Sequence, residues 1–228
     1  VVAVLEVSLP FADGLAALAD YPHQVRHPTV FPGFGVALLS RTPAQDVVRN
    51  IPKHPDEAAR VITGTVDGVR VVGAYVPNGQ APDSDKYAYK MQWLDAFRAW
   101  IAEEVIRHPN LVLMGDFNIA PADADVHDPV KWKDQILCTD RERAQLQQLC
   151  GLGFVDTFRL FDQPPKSFSW WDYRMLGFQK GQGLRIDLIL ASDALRSRVE
   201  RCDIDRAQRK KERASDHAPV VMVLKEAR

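Results

Sequence analysis

The stretch at residues 111–120, LVLMGDFNIA, constrains the fold of this chain more than any other. Its first four residues are all apolar, which predicts a short buried strand. Gly115 ends the run, and Asp116 and Asn118 follow. Side chains two residues apart on an extended chain point the same way, so this carboxylate and amide should leave the strand together. Such a pair suits a hard cation, a water or a phosphate oxygen, although Asp and Asn also begin ordinary turns.

Length and charge limit the alternatives. The 228 residues predict one domain, 1–228, with a single core. The net charge of −1 gives no overall attraction to nucleic acid, so any anion-binding surface must be local. Three scattered cysteines without a C-x-x-C pair predict a reduced, cytoplasmic protein without structural zinc. Since no apolar run approaches ~18 residues, we expect no membrane span.

The chain begins on a valine, directly inside an apolar run at residues 1–5 that reads as a buried strand. We therefore expect residues to be missing upstream. Glu6 ends this run, and it is either a plain surface residue or a ligand at the rim of a sheet.

The rest of the chain alternates short apolar runs with helical patterns. Asp67-Gly68 joins two β-branched runs and predicts a hairpin, because both turn positions need positive φ. Residues 9–21 have a weak helical pattern, residues 85–108 a strong one, and Thr139 with Glu142 forms a capping box before another helix. Proline-rich residues 22–32 and 42–58 predict connections. Further strands are predicted at residues 35–40, 61–66, 69–76, 167–173, 184–191, 199–205 and 219–224.

Polar residues at strand ends are the candidates for chemistry. Asp187 lies inside the apolar run I-D-L-I-L, where a carboxylate is costly without a partner, and His217 is the candidate partner. Tyr75 ends a strand, where its ring could pack or its hydroxyl could contact a phosphate. The basic run at residues 206–213 is either a solvated loop or a phosphate-binding segment.

Together these residues favour metal-assisted attack of water on a phosphate ester. Acyl transfer is disfavoured because no serine lies in a G-x-S-x-G turn, and the chain has no Walker-type phosphate loop.

Seven ordered segments also resemble one family. From residue 35 to the end they read GVALLS, GAYVPNG, LMGDFNIAP, GFVDTFR, FSWWDYR, GLRIDLILAS and SDHAPV. They are similar to the exonuclease III family, the bacterial AP endonucleases of the endonuclease/exonuclease/phosphatase superfamily.

The resemblance implies an α/β fold, a four-layer sandwich of two β-sheets packed face to face with helices outside, whose first strand is missing here. It implies a monomeric bacterial cytoplasmic enzyme that depends on Mg²⁺ (or Mn²⁺). The implied activity is hydrolysis of DNA phosphodiesters 5′ to abasic sites and at the 3′ ends of duplex DNA, as an AP endonuclease and 3′-5′ exodeoxyribonuclease. The expected partner is double-stranded DNA with abasic sites or 3′ ends.

The resemblance also implies residue roles. Asp116 positions and deprotonates the attacking water, and Asn118 helps to bind the phosphate or to stabilise the transition state. Tyr75 contacts the phosphate or the leaving oxygen, and Asp187 orients His217 against the phosphate. The implied metal set is Glu6, Asp116, Asn118, Asp216 and His217. The implied DNA contacts are Asn78, Trp170, Arg174, Leu184, Arg185 and Ile186, of which Trp170, Leu184 and Ile186 would line a pocket for an extruded abasic sugar.

The chain departs from the family near its beginning. The family pattern L-Q-E-T-K reads V-L-E-V-S here, so Leu5, Val7 and Ser8 replace Gln, Thr and Lys around Glu6. Two alternatives therefore stand beside the nuclease hypothesis. One is a superfamily phosphoesterase acting on RNA or a small phosphoester, and the other is a catalytically weakened DNA-binding remnant.

Overall fold

The computed structural model describes residues 1–7, 18–27 and 35–226. Its strands form a six-stranded sheet in the order β4-β5-β6-β7-β9-β8, a three-stranded sheet β1-β3-β2 and a two-stranded sheet β10-β11. The strands are β1 (Val2–Val7), β2 (His23–His27), β3 (Gly35–Ser40), β4 (Gln45–Arg49), β5 (Val61–Val66), β6 (Val69–Tyr75), β7 (Leu111–Asp116), β8 (Phe154–Asp156), β9 (Asp187–Ser192), β10 (Val199–Ile204) and β11 (Val220–Leu224).

Within the described ranges, two helices are longer than one turn. The first, α1 (Asp85–Arg107), begins at Ser84, whose hydroxyl accepts a hydrogen bond from the Tyr87 amide. The second, α3 (Asp140–Cys150), begins at the predicted capping box of Thr139 and Glu142. The short helices are α2 (Pro129–Trp132), α4 (Gly177–Lys180) and α5 (Asp193–Arg196), and 3₁₀ turns cover Asp123–Asp125, Thr157–Leu160, Arg174–Leu176 and Arg206–Lys210.

The two long helices cover one face of the six-stranded sheet. Leu111 and Leu113 of β7 join Met91, Leu94 and other buried residues of α1 in the largest apolar cluster. This packing follows from the two periodicities in the sequence, since alternate strand residues meet one stripe of the helix.

Both smaller sheets cover the opposite face. Leu38 of β3 packs with Ile62 and Val71, while Val112 and Ile189 pack with Val199 and residues of β11. The predicted face-to-face arrangement of two sheets is therefore confirmed, and the second layer is divided between two small sheets.

Several local predictions are corrected. Residues 22–32 and 42–58 contain strands β2 and β4, whose polar residues are tolerated because both are edge strands. Residues 167–173 form no strand; Trp170 makes only isolated bridges to Leu184 and His217. The helix predicted at residues 9–21 lies mostly outside the described residues.

Across the described ranges, no helix combines the length and apolarity that crossing a membrane requires.

Candidate active site

Three polar side chains form a row across neighbouring strands of the large sheet. Tyr75 ends β6 and pairs in register with Asp116, which ends the parallel strand β7. Asp116 in turn pairs with Asp187, the first residue of the antiparallel strand β9. Residues in register across adjacent strands share one face, so all three side chains point toward the small sheets. They line a cavity of about 820 Å³ together with Glu6 and His217.

Gly115 allows Asp116 to take this position. Its φ of +146° favours glycine, and a Cβ there would lie 2.0 Å from the carbonyl oxygen of Ala74. The strands can therefore approach closely only without a side chain at residue 115. The close approach of β6 and β7 thus explains why a glycine ends the apolar run.

Asp116 is buried and held by its neighbour. Its Oδ1 accepts the Asn118 backbone N–H at 2.8 Å, and its Oδ2 accepts the Asn118 side-chain amide at 2.9 Å. The predicted carboxylate–amide pair is thus formed. Burial raises the pKa of Asp116 to about 7, and the negative charge of Asp187 adds to this, whereas His217 opposes it.

His217 pairs with Asp187, as the sequence predicted. Its Nδ1 lies 2.8 Å from Oδ2 and 3.0 Å from Oδ1 of that carboxylate. Burial alone lowers the pKa of His217, but the Asp187 carboxylate more than offsets this and raises the pKa to about 10. The imidazole is therefore a cation at neutral pH, with Nε2–H free of the Asp187 contact.

Tyr75 contacts Glu6 across the cavity. Its hydroxyl donates a 2.5 Å hydrogen bond to Glu6 Oε1. Burial raises the pKa of Tyr75 well above its ordinary value, and the charge of Glu6 raises it further. The side chain is thus a protonated phenol and a hydrogen-bond donor throughout the physiological range.

Asn78 belongs to the same network. Its Nδ2 donates to Asn118 Oδ1 at 2.9 Å, and Asn118 Nδ2 donates to the carbonyl of Val76 at 3.0 Å. The two asparagines therefore tie the end of β6 to the loop after β7, beside Asp116.

Asp216 supports Trp170. Its Oδ2 accepts the Trp170 indole N–H at 3.0 Å. Trp170 packs on Leu184 and Ile186, which are 0% and 2% exposed. Of the three residues predicted to line a sugar pocket, Trp170 therefore offers the accessible surface, and the two aliphatic side chains lie beneath it.

The two predicted arginine contacts differ. The side chain of Arg174 is 86% exposed and pairs with Asp172 at 2.6 Å. Arg185 is buried, and its guanidinium pairs with Asp125 and Asp156, each at 2.7 Å. The DNA contact predicted for Arg185 is therefore wrong. Its guanidinium is buried and hydrogen-bonded to Asp125 and Asp156, which stabilises the loops beneath the site.

The predicted metal ligands do not form one cluster. Within 1–7, 18–27 and 35–226, no three His, Cys, Asp or Glu side chains meet closely enough to hold a metal ion. The Asp216 carboxylate is engaged by Trp170, and His217 by Asp187. Glu6 and Asp116 do line the same cavity, and they offer the hard oxygen donors that a divalent cation prefers.

Three supporting residues were not found from the sequence. Ser169 Oγ accepts the backbone N–H groups of Ile186 and Asp187, fixing the start of β9. Arg60 lies over the Tyr75 ring, 5.3 Å from its centroid. Lys90 is buried on the apolar face of α1. Its position within the apolar stripe of the helix is the sequence feature that could have indicated a buried, paired lysine.

Known proteins resemble this chain over most of its length. The family model described as "Endonuclease/Exonuclease/phosphatase family" matches residues 1–217. Exodeoxyribonuclease III of Haemophilus influenzae is 31% identical over 200 residues, covering 82% of this chain and 75% of the relative.

Two solved structures extend the comparison. A 3′ phosphatase, NExo, from Neisseria, solved bound to product DNA hairpin, is 39% identical, with a TM-score of 0.92 over 98% of this chain and 88% of its own. An AP endonuclease from Archaeoglobus fulgidus is 35% identical, with a TM-score of 0.82 over 88% of this chain and 78% of its own.

Proposed function

We propose a specific reaction for this chain, which belongs to the endonuclease/exonuclease/phosphatase family and is a DNA-repair nuclease. It hydrolyses phosphate esters at the 3′ ends of duplex DNA and phosphodiesters 5′ to abasic sites, with Mg²⁺ and alternatively Mn²⁺. The observation that carries the proposal is the in-register row of Tyr75, Asp116 and Asp187 at one cavity.

Asp116 is the general base. In the protein without a bound cation, a pKa of about 7 leaves a substantial ionised fraction of Asp116 near neutral pH and enough basicity to accept a proton from water. Its two hydrogen bonds from Asn118 fix the direction of the carboxylate. Both side-chain N–H groups of Asn118 are used by Asp116 and Val76, whereas exposed Asn78 keeps one amide N–H that would donate to the phosphate.

His217 and Tyr75 supply donors to the phosphate. The Asp187 pairing keeps the imidazole protonated, so its Nε2–H can donate to a phosphate oxygen and its charge offsets the anion. Tyr75 is a protonated phenol whose single O–H donates to Glu6 in the free protein and would turn to a second phosphate oxygen or to the leaving group when substrate binds. Fixed donors of this kind stabilise the charge that develops in the transition state.

A divalent cation would be held by Glu6 and Asp116. Magnesium binds through one or two carboxylates and completes its shell with waters and substrate phosphates, which fits a cavity with two such groups. When bound, the cation would neutralise phosphate charge and support the leaving oxygen. Asp216 and Asn118 would act at longer range by holding Trp170 and Asp116.

DNA would lie across the surface around this cavity. Trp170 offers an aromatic face supported by Leu184 and Ile186, which suits an extruded abasic sugar. Exposed Arg174 suits a backbone phosphate. We propose that the protein acts as a monomer of one domain in the bacterial cytoplasm.

The test uses four labelled substrates, namely a duplex with an abasic site, a duplex with a 3′ phosphate, an intact duplex and an abasic RNA–DNA hybrid. Each is incubated with Mg²⁺, Mn²⁺ or EDTA, and Asp116→Asn is the inactive control. We expect metal-dependent cleavage of the damaged DNA substrates and none with EDTA.

The outcomes separate the alternatives. DNA binding without cleavage in any metal would instead support a weakened remnant. Faster cleavage of the hybrid would support another phosphoesterase of the family.

A further inference from the structure

Lys90 is a buried cation on the helix behind the active site, and none of the chemical roles above uses it. Its side chain is 0% exposed and lies on the α1 stripe with Tyr87, Met91 and Leu94. Removing an ammonium group from water is unfavourable unless its protons find acceptors. The placement of this charge among apolar residues therefore needs a physical reason.

Its hydrogen bonds supply that reason. Lys90 Nζ donates to the backbone carbonyl of Asn118 at 2.7 Å, to that of Asn78 at 3.1 Å, and to the Glu142 carboxylate. An ammonium has three protons, so all of them are used. Two of the three acceptors belong to the asparagines that border Asp116.

The backbone of Asn118 lies in the left-handed region. Asn118 has a φ of +49°, a conformation that L-residues adopt infrequently. Its side chain bridges Asn78 on one side and Asp116 on the other. A displacement of the Asn118 backbone would therefore move the amide that orients the catalytic carboxylate.

Glu142, the carboxylate partner of Lys90, is also held in place by hydrogen bonds. Glu142 Oε1 accepts the Leu137 N–H at 3.1 Å, and its Oε2 accepts the N–H and hydroxyl of Thr139. The lysine thus joins the rigid first turn of α3 to the loop that follows β7.

We propose that Lys90 is a positioning residue for the reaction, an inference that rests on the proposed function of Asp116. It holds the Asn78 and Asn118 carbonyls so that the Asn118 amide keeps the Asp116 carboxylate oriented and Asn78 stays beside it. Its complete burial keeps it from contacting the substrate.

The chain offers a matched control on the same helix. Arg70 pairs with Glu104 of α1 at 2.9 Å, and both side chains are 3% exposed. Arg70 pairs in register with Leu111 at the far end of β6 and β7, five positions from the Tyr75–Asp116 pair. Loss of either ion pair therefore perturbs the same core, but only one lies at the active site.

The experiment compares K90M/E142Q with R70M/E104Q. Replacing both partners avoids an unpaired buried charge, and glutamine at residue 142 keeps one oxygen for the Thr139 N–H of the capping box while the Leu137 N–H loses its acceptor. We expect kcat on a 3′-phosphate duplex to fall about 10²-fold in K90M/E142Q, with KM within about 2-fold, because a small misplacement of catalytic groups slows the chemical step. R70M/E104Q should keep kcat while losing thermal stability.

Amide hydrogen exchange gives a readout independent of activity. The Asn118 N–H, which donates to Asp116, should exchange faster in K90M/E142Q and at an unchanged rate in R70M/E104Q. Equal losses of kcat in the two variants, or unchanged exchange at Asn118, would overturn the positioning role. Absence of cleavage by the unaltered protein would count against the proposed function, and exchange at Asn118 would still decide the role of Lys90.

Discussion

Asp116 and Asp187 lie directly opposite each other on β7 and β9, yet their partners differ in charge. Asp187 is paired with His217 at 2.8 Å, whereas Asp116 accepts its hydrogen bonds from the neutral Asn118. Burial and the charge of Asp187 raise the pKa of Asp116 to about 7. Two carboxylates on neighbouring strands thereby acquire different tasks. Asp116 acts as a base, and Asp187 stabilises the protonated imidazole of His217.

The first prediction concerns pH. Because the folded pKa of His217 is raised from 6.5 to about 10, the stabilisation from its pairing is complete below about 6.5 and is lost as pH rises through about 10. Asp187→Asn should lower this pKa and remove that dependence of stability. NMR titration of the His217 ring in metal-free protein, with urea unfolding at pH 6 and pH 9.5, checks both. An unshifted titration would show that Asp187 does not control the imidazole.

The second prediction concerns the base. Asp116→Asn should lower kcat by about 10²-fold or more, since general-base catalysis commonly contributes that factor. The same change should raise stability above pH 7, because the wild-type carboxylate must ionise while buried beside Asp187. Single-turnover cleavage and urea unfolding at pH 8 measure the two effects. A variant that cleaves at the wild-type rate would remove Asp116 from this role.

The third prediction separates two tyrosines. Tyr75→Phe should lower kcat about 10²-fold by deleting one donor to the phosphate. Tyr89 is the matched control, because it lies on the other side of Arg60 and its hydroxyl donates to Asp56 at 2.9 Å. Tyr89→Phe should lower the free energy of unfolding but leave kcat within about 2-fold, since a hydrogen bond away from the reacting atoms contributes to folding and not to the chemical step. Equal rates for the two variants would contradict the role of Tyr75.

The fourth prediction tests the close approach at Gly115. Gly115→Ala would place a Cβ 2.0 Å from the Ala74 carbonyl oxygen and should reduce the free energy of unfolding by more than about 4 kcal/mol. Gly68→Ala, in a hairpin turn with open space around it, should cost only about 1–2 kcal/mol for its positive φ. Urea unfolding compares the two, and similar losses would mean that β6 and β7 can separate locally.

Residues with strong local signals were predicted well. The Asp67-Gly68 hairpin, the Thr139–Glu142 capping box and the apolar stripe of α1 each depend on short-range geometry, and the structure confirms all three. The Asp187–His217 pair was predicted for a different reason, namely that a carboxylate inside an apolar strand needs a partner. The structure confirms this pair.

Contacts that depend on three-dimensional packing were not predicted. Arg185 belongs to a motif shared with nucleases, but nothing along the chain shows that Asp125 and Asp156 surround it. Residues 167–173 look like a strand because they are aromatic, yet their backbone hydrogen bonds go to single residues such as Leu184 and Asp216. Both errors arise because tertiary partners decide between burial and exposure, and between strand and loop.

The register of β6, β7 and β9 has a consequence for heat inactivation. The backbones of Tyr75, Asp116 and Asp187 belong to three hydrogen-bonded strands of the six-stranded sheet, so their relative positions stay fixed until that sheet opens. Regions with dense buried contacts open only at free energies near that of global unfolding. Nuclease activity should therefore persist up to the melting transition and disappear together with the cooperative loss of β-sheet circular dichroism.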